Sequence, residues 1–418
     1  MIEVVLVYLI MEFSKDIPKL RFHLLGLPHL PSSKEYMSCA FTQKNRKLAK
    51  MLTSLGHEVF FYGAEGSDVE EYCNSDKLHF IQTHTLADIR KDYGTGDNRF
   101  EIGYNWKVQD FKHDFDTEKK FSTLKFYAVC IDYINKHKKE DDFLLCTQGQ
   151  YHRPISEAVK LFLTCESGIG YRGSAPEMYR CFESFHGMNF IYGSTHPFES
   201  INGNYYDRVI PNYFDPDDVE FNAKPKDYYL FIGRMIRRKG ILTAYEATKA
   251  AGVPLIIAGQ GGFVKEDGHL VDNHPQEYDM PNDSNWKYVG YADIAKRKDL
   301  MKNAIATFVA TEYLEMFGGV NVESRLHGTP VITTNFGCFP ELVENGVDGY
   351  RCDTLNDFVE ALQKVKGLDR KVVRQRAERF LMDNVKWEYQ KWFEDLYRVW
   401  RSATIKGEKG WNYVKKTI

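Results

Sequence analysis

Short apolar runs and amphipathic stretches alternate along most of this chain. Lys19 to Gly26, with Leu20, Phe22, Leu24 and Leu25, reads as a strand. A Pro/Ser loop follows from Pro28 to Ser33. Phe41 to Leu55 then places Leu48, Met51, Leu52 and Leu55 on one side and Lys44, Arg46, Lys47 and Lys50 mostly on the other, which predicts an amphipathic helix. Gly56-His57 ends it, and Glu58 to Tyr62 is the next strand. Strand, helix and strand with short joins form a βαβ unit, hence a parallel sheet.

The alternation continues after Asp68 to Asp116, a polar, irregular stretch expected to carry inserted loops. Phe121 to Asn135 reads as a helix, Phe143 to Thr147 as a strand, and Pro154 to Phe162 as a helix. Thr164 to Tyr171 is a strand end running into a glycine loop, and Phe190 to Tyr192 and Asp207 to Ile210 continue the strands. Pro211 to Asp218 is rich in Pro and Asp and marks a boundary. The pattern then restarts, with strands at Tyr228–Ile232, Pro254–Ala258, Trp286–Gly290, Ala306–Val309 and Val331–Thr334 and helices between them. Two such runs predict an α/β protein of two doubly wound, Rossmann-like domains facing across a cleft. The expected division is an extension over 1–16, a first domain over 17–210 and a second over 211–384. The aromatic helix within 385–418 (Trp387, Tyr389, Trp392, Phe393, Tyr397, Trp400) is expected to pack back across the domain junction.

Composition narrows the function. A chain of 418 residues, 43% hydrophobic, can bury two cores. A net charge of −3 argues against a dedicated nucleic-acid binder. The eight cysteines form no C-x-x-C pair and have no zinc spacing, so they read as thiols of a reducing, cytoplasmic compartment. Met1 to Met11 is apolar but too short to span a bilayer, which takes about 20 residues. For the basic helix face at Lys44, Arg46, Lys47 and Lys50, a solvated surface is the expectation, and peripheral membrane or anionic-acceptor contact the alternative. Asp215-Pro-Asp217 reads as turn chemistry rather than a metal site.

Candidate chemistry concentrates in Thr311 to Thr334. Glu315 and Glu323 flank Phe317-Gly318-Gly319, which opens a helix. Glycines at a helix start leave N–H groups uncovered, and the helix dipole favours an anion there. Upstream, Phe231-Ile-Gly-Arg-Met-Ile-Arg-Arg-Lys-Gly240 follows a strand directly. Gly233 lets a ligand approach the backbone, and Arg234 and Lys239 bring two cations to the strand end, where open α/β sheets bind ligands.

Gly233-Arg234 with Lys239-Gly240, Ile256-Ile-Ala-Gly-Gln-Gly261, Glu315 through Glu323 with Gly328-Thr-Pro-Val-Ile332, and Glu341-Leu-Val-Glu-Asn-Gly-Val-Asp-Gly-Tyr350 occur in that order. Together they resemble the retaining GT-B glycosyltransferases of family 4 (glycosyl transferases group 1). The resemblance covers about Tyr228 to Tyr350. The first half is similar in outline only, with Glu166-Ser-Gly-Ile-Gly-Tyr171 and Phe182-Glu-Ser-Phe185 suggesting a subgroup.

The resemblance implies transfer of a sugar from a nucleotide diphosphate sugar, UDP- or GDP-linked, to a glycan, lipid or small-molecule acceptor in the cleft. No metal and no further cofactor are implied. Arg234 and Lys239 would bind the diphosphate and stabilise it as it leaves, and Glu315 would contact the sugar. Gly233 and the backbone of Phe317, Gly318, Gly319 and Val320 would hold the donor, with Glu323 on the ribose hydroxyls. His152 and Glu166 follow or end first-domain strands, so both are candidates for the acceptor side. Departures from the family are Met316 before Phe317, and Pro28 to Tyr36 in place of a glycine-rich first loop.

Three rival readings fit the same sequence. One is a related GT-B phosphorylase or nucleotide-sugar epimerase. Another is a nicotinamide-dependent oxidoreductase, against which Val264 counts, standing where a dinucleotide fingerprint has its third glycine. The last is a non-catalytic nucleotide-sugar-binding protein.

Overall fold

The computed structural model describes residues 17–36, 39–93, 119–171, 179–195, 204, 206–272 and 277–406. The expected extension over 1–16 lies outside the described residues, as do 94–116 of the polar stretch and 407–418 of the last segment.

Alternating side chains build the first sheet. Its strands are β1 (Arg21–Leu25), β2 (Glu58–Ala64), β3 (Leu78–His84), β4 (Phe143–Cys146), β5 (Leu163–Ile169), β6 (Tyr179–Phe182) and β7 (Arg208–Val209). They are all parallel, in the order β3-β2-β1-β4-β5-β6-β7. Phe22 and Leu24 of β1 face one side with Val59, Phe61, Phe143 and Leu145. Leu25 faces the other with Phe60, Tyr62, Leu144 and Cys146. This period of two, buried on both faces, is what a parallel sheet requires.

The helix Met382–Lys406 covers the first of these faces. Val385, Tyr389, Trp392, Phe393 and Leu396 recur at helical spacing and join the core of β1, β2 and β4. The indole of Trp392 donates to Tyr206 O at 3.0 Å. At 1% exposure, truncating Trp392 to Ala should cost about 3–5 kcal/mol.

The second sheet restarts the pattern with β8 (Tyr229–Ile232), β9 (Leu255–Ala258), β13 (Trp286–Tyr288), β14 (Thr307–Val309), β15 (Val331–Thr334) and β16 (Gly349–Cys352). The order is β13-β9-β8-β14-β15-β16, again parallel. A small antiparallel meander, β10 (Gly262–Val264), β11 (Leu270–Asp272) and β12 (Asp279–Met280), follows β9. The chain winds from β8 out to β13 and returns on the other side of β8 as β14. The strand order therefore reverses between β8 and β14, and a crevice opens there at the strands' C-terminal ends.

Three expectations need correction. Phe190 to Tyr192 is not a strand but part of the helix Phe185–Thr195. Its start is fixed by Ser184, whose hydroxyl accepts from Gly187 N at 2.9 Å, and a short apolar run cannot by itself distinguish the two structures. The polar stretch after Asp68 contains β3, an edge strand half of whose side chains meet solvent. The basic face of the helix Ala40–Ser54 is not solvated. Lys44 and Arg46 are buried, and Lys50 pairs with Asp215 at 3.0 Å. Lys47 lies over the Phe214 ring. This face is taken up by the junction between the two sheets. Asp215 does serve the turn, accepting from Asp217 N at 3.0 Å.

Candidate active site

The crevice between β8 and β14 is a small cleft of about 60 Å³, lined by Gly233, Lys239, Thr311, Glu315, Gly318 and Gly319 among others. A Cβ added to Gly233 would meet nothing within 4 Å, so the strand end opens directly into it. The turn Arg237–Lys239 brings Lys239 over the crevice. It packs there because Gly240 has φ +81° and lies so near Ala310 that a Cβ would come within 1.8 Å of the Ala310 carbonyl. Only glycine permits that approach.

Lys239 Nζ lies 3.1 Å from Glu315 Oε2, and the Tyr313 hydroxyl donates to the same oxygen at 2.5 Å. Lys239 and Tyr313 also bond to each other. The side chains of Lys239 and Glu315 are 24% and 16% exposed, so the cluster is held but reachable. The Tyr313 phenol is pushed well up, first by burial and then by the Glu315 charge, while Arg234 and Arg238 pull the other way. Arg234 thus shares the field of the cluster, half-buried beside the strand end.

The helix Gly319–Leu326 starts at the crevice without a side-chain cap. Gly318 before it has φ +69°. Its far face is anchored by Ser324 Oγ, which donates to Thr307 Oγ1 at 2.8 Å, and by the buried pair Arg325–Asp348 at 2.6 Å. Phe317 is buried in the core and is not part of the crevice lining, and Val320 is half-buried at the rim. One turn in, Glu323 accepts from Arg297 Nε and Nη2, both at 2.5 Å. Burial pushes the Glu323 carboxyl up, but the Arg297 charge and hydrogen bonds pull harder and hold it below its ordinary value. The structure thus brings Gly233, Lys239, Glu315, Gly318, Gly319 and Val320 together around the crevice, with Arg234 next to Gly233 and Glu323 one turn along the helix that starts there.

Sequence reasoning missed Tyr313 and Arg297. Tyr313 sits two residues before Glu315, where the only signal is its place in the motif. Arg297 lies in the helix Ile294–Asn303, outside every motif that the sequence offers.

The first-domain candidates His152 and Glu166 are both bonded within their own domain. His152 is fully buried. Its Nδ1 accepts from Thr147 N at 3.1 Å and Gln148 N at 3.3 Å, and its Nε2 donates to Gly26 O at 3.0 Å. Burial pushes its pKa down to about 4, only partly offset by the Gly26 bond, so the ring is neutral and fully engaged. It pins the loop after β1 to the loop after β4. Glu166 is also fully buried, and its Oε1 accepts from the Tyr171 hydroxyl at 2.5 Å. Sequence reasoning missed the pair beside it. Lys44 Nζ donates to Gly168 O at 2.6 Å and to Glu183 Oε1 at 2.9 Å.

Among the described residues, no three His, Cys, Asp or Glu side chains converge as a metal site. No helix among them is long and apolar enough to cross a membrane. A larger cleft of about 520 Å³ lies at the opposite edge of the second sheet, beside Lys226, Pro330 and Arg370. That is the N-terminal edge of the strands, away from the crevice.

Two facing parallel sheets, with a charged crevice at the switch point of the second, define the GT-B glycosyltransferase fold. Sucrose-phosphate synthase from Thermosynechococcus elongatus shares it at a TM-score of 0.62 and 15% identity, over 91% of this chain and 99% of that one. Anabaena HepE, solved in complex with UDP-glucose, shares it at a TM-score of 0.57 and 14% identity, over 90% and 99%. Residues 215–387 match the family model of glycosyl transferases group 1. A curated relative, glycogen synthase of Mycobacterium tuberculosis, is 30% identical over 128 residues, 29% of this chain. The match spans 29% of that relative's length.

Proposed function

We propose that this protein is a retaining glycosyltransferase that moves a hexosyl group from a nucleotide diphosphate sugar to an acceptor in the cleft, without a metal ion. The observation that carries the reading is the Lys239–Tyr313–Glu315 cluster beside an uncapped helix start at the switch point.

Transfer breaks the bond between the anomeric carbon and a phosphate oxygen, and negative charge gathers on the departing diphosphate. Preorganised cations and N–H groups stabilise charge where it develops. Lys239 and Arg234 supply the cations, and the backbone of Gly319 and Val320 the N–H groups. Glu315 binds the sugar's hydroxyls, exchanging its bonds to Lys239 and Tyr313 for bonds to substrate. Glu323, kept ionised by Arg297, accepts from the ribose hydroxyls. Retention means that the acceptor oxygen takes the face the phosphate leaves. Its proton then passes to the departing diphosphate as the new C–O bond forms.

UDP-glucose is the donor to try first, since HepE was solved with it. The eight free thiols fit a reducing, cytoplasmic compartment. The acceptor is a glycan, lipid or small molecule.

The test follows UDP-, GDP- and ADP-sugars by ¹H and ³¹P NMR with a panel of acceptors. A product with the donor's anomeric configuration and a free nucleoside diphosphate is expected. Turnover that requires orthophosphate would instead mark a phosphorylase, and sugar isomerisation without acceptor an epimerase.

A further inference from the structure

Two polar contacts join the segment around Glu315 to the first domain. The Glu341 carboxylate accepts from Phe185 N at 3.0 Å through Oε2 and from His186 N at 2.9 Å through Oε1. These are the first two N–H groups of the helix Phe185–Thr195, which otherwise lack intrahelical partners. The Ser184 hydroxyl, just before that helix, donates to Met316 O.

Both contacts end on the backbone that carries Glu315. Met316 is its neighbour in the chain. Glu341 lies in the short helix Phe339–Leu342, and the residues leading into that helix clasp Glu315 itself. Cys338 N donates to Glu315 O at 3.0 Å. Gly337, at φ +67°, passes so close that a Cβ would meet Glu315 N at 2.9 Å and O at 3.0 Å. A pull on Glu341 is therefore passed to Glu315 through four residues of tightly packed chain. Glu341 is exposed, and Phe185 beside it is 60% exposed. A solvated carboxylate on a helix start is a weak attachment, one that water and salt can undo.

We propose that Glu341 is a positioning residue. It latches the first domain's helix start onto the segment holding Glu315, so that the backbone carrying Glu315 keeps its place in the crevice. Its effect on transfer rests on the glycosyltransferase reading, whereas the latch itself does not.

The test compares the full-length wild type with Glu341→Ala, Glu341→Gln and Ser184→Ala. In ligand-free protein, hydrogen exchange at Phe185 and His186 should speed up by about tenfold or more in Glu341→Ala, and exchange across 315–319 should rise with it. Glu341→Gln, which keeps one acceptor oxygen, should fall between. In turnover, kcat should drop about tenfold in Glu341→Ala while nucleoside diphosphate affinity stays within about twofold. Unchanged exchange at both segments would show that the latch does not form in solution. Faster exchange at 185–186 with none across 315–319, or with kcat unaltered, would show a tie that positions nothing. A wild type that neither turns over nor binds nucleotide defeats the glycosyltransferase reading, and exchange across 315–319 still decides whether Glu341 positions that segment.

Discussion

The two walls of the cleft use charged groups in opposite ways. On the second-domain wall the charges are paired yet reachable. Lys239 and Glu315 are 24% and 16% exposed, and Arg297 and Glu323 are 18% and 21% exposed. A ligand can trade places with one partner of each pair at modest desolvation cost. On the first-domain wall His152 and Glu166 are wholly buried, and Lys44 and Glu183 nearly so. Their hydrogen bonds hold loops in place, and opening them would strand polar groups away from water, at about 1–3 kcal/mol each. Exposure thus separates groups poised to exchange partners from groups that keep the architecture.

That contrast can be broken by substitution on either side. The largest expected effect is from Lys239→Ala, which should lower turnover by about 10²- to 10³-fold, as loss of one preorganised donor to developing charge does. The melting temperature should barely move. A large drop in melting temperature would mean that the second wall is structural too.

His152→Ala should do the reverse. It strands Thr147 N, Gln148 N and Gly26 O, costing about 2–5 kcal/mol and several degrees of melting temperature. Activity per folded molecule should hold. The pH profile gives the same contrast. Burial holds His57 and His152 at about 4, against about 6.5 unfolded. The unfolded chain binds more protons between those values, so stability is full above about 6.5 and is lost as pH falls towards about 4. Both residues lie in the first domain, so hydrogen exchange should find its core opening first in mild acid.

Arg297→Ala should be intermediate. Glu323 loses the partner that holds its carboxyl below its ordinary value, and stability at pH 7 should fall by about 1–3 kcal/mol. A depressed carboxyl stabilises above its unfolded pKa and loses that stabilisation as pH falls through its folded value. The deficit of Arg297→Ala should therefore shrink as pH drops through the ordinary glutamate range, which denaturation at pH 7 and pH 4 would reveal. The smallest effect belongs to Arg237→Ala. Arg237 is 60% exposed and only 3.8 Å from Glu312, so both turnover and melting should be near wild type. A strong loss would mean that the basic turn, not Lys239 alone, grips the ligand.

The sequence was most legible where the site is compact along the chain. Gly233, Arg234 and Lys239 fall within seven residues, and Glu315 to Glu323 within nine, each beside a strand or helix end that periodicity can place. The first wall is assembled from single residues far apart. His152 meets Gly26, and Lys44 meets Glu183, across 126 and 139 positions. No spacing announces such pairs. Charged side chains misled for the same reason. Lys44 and Arg46 look like a solvated helix face until the opposing carboxylates are in view, and Arg325 turns inward to Asp348 at the heart of the second domain.

The central claim is that the second-domain crevice binds a nucleoside diphosphate through Lys239 and Glu323. Calorimetric titration of UDP, GDP and ADP into the wild type, Lys239→Ala, Glu323→Ala and His152→Gln tests it directly. The expected result is micromolar binding of at least one nucleotide, weakened about tenfold or more in the first two variants and unchanged in the third. Absence of binding at millimolar nucleotide, or equal affinity in Lys239→Ala and Glu323→Ala, would contradict it.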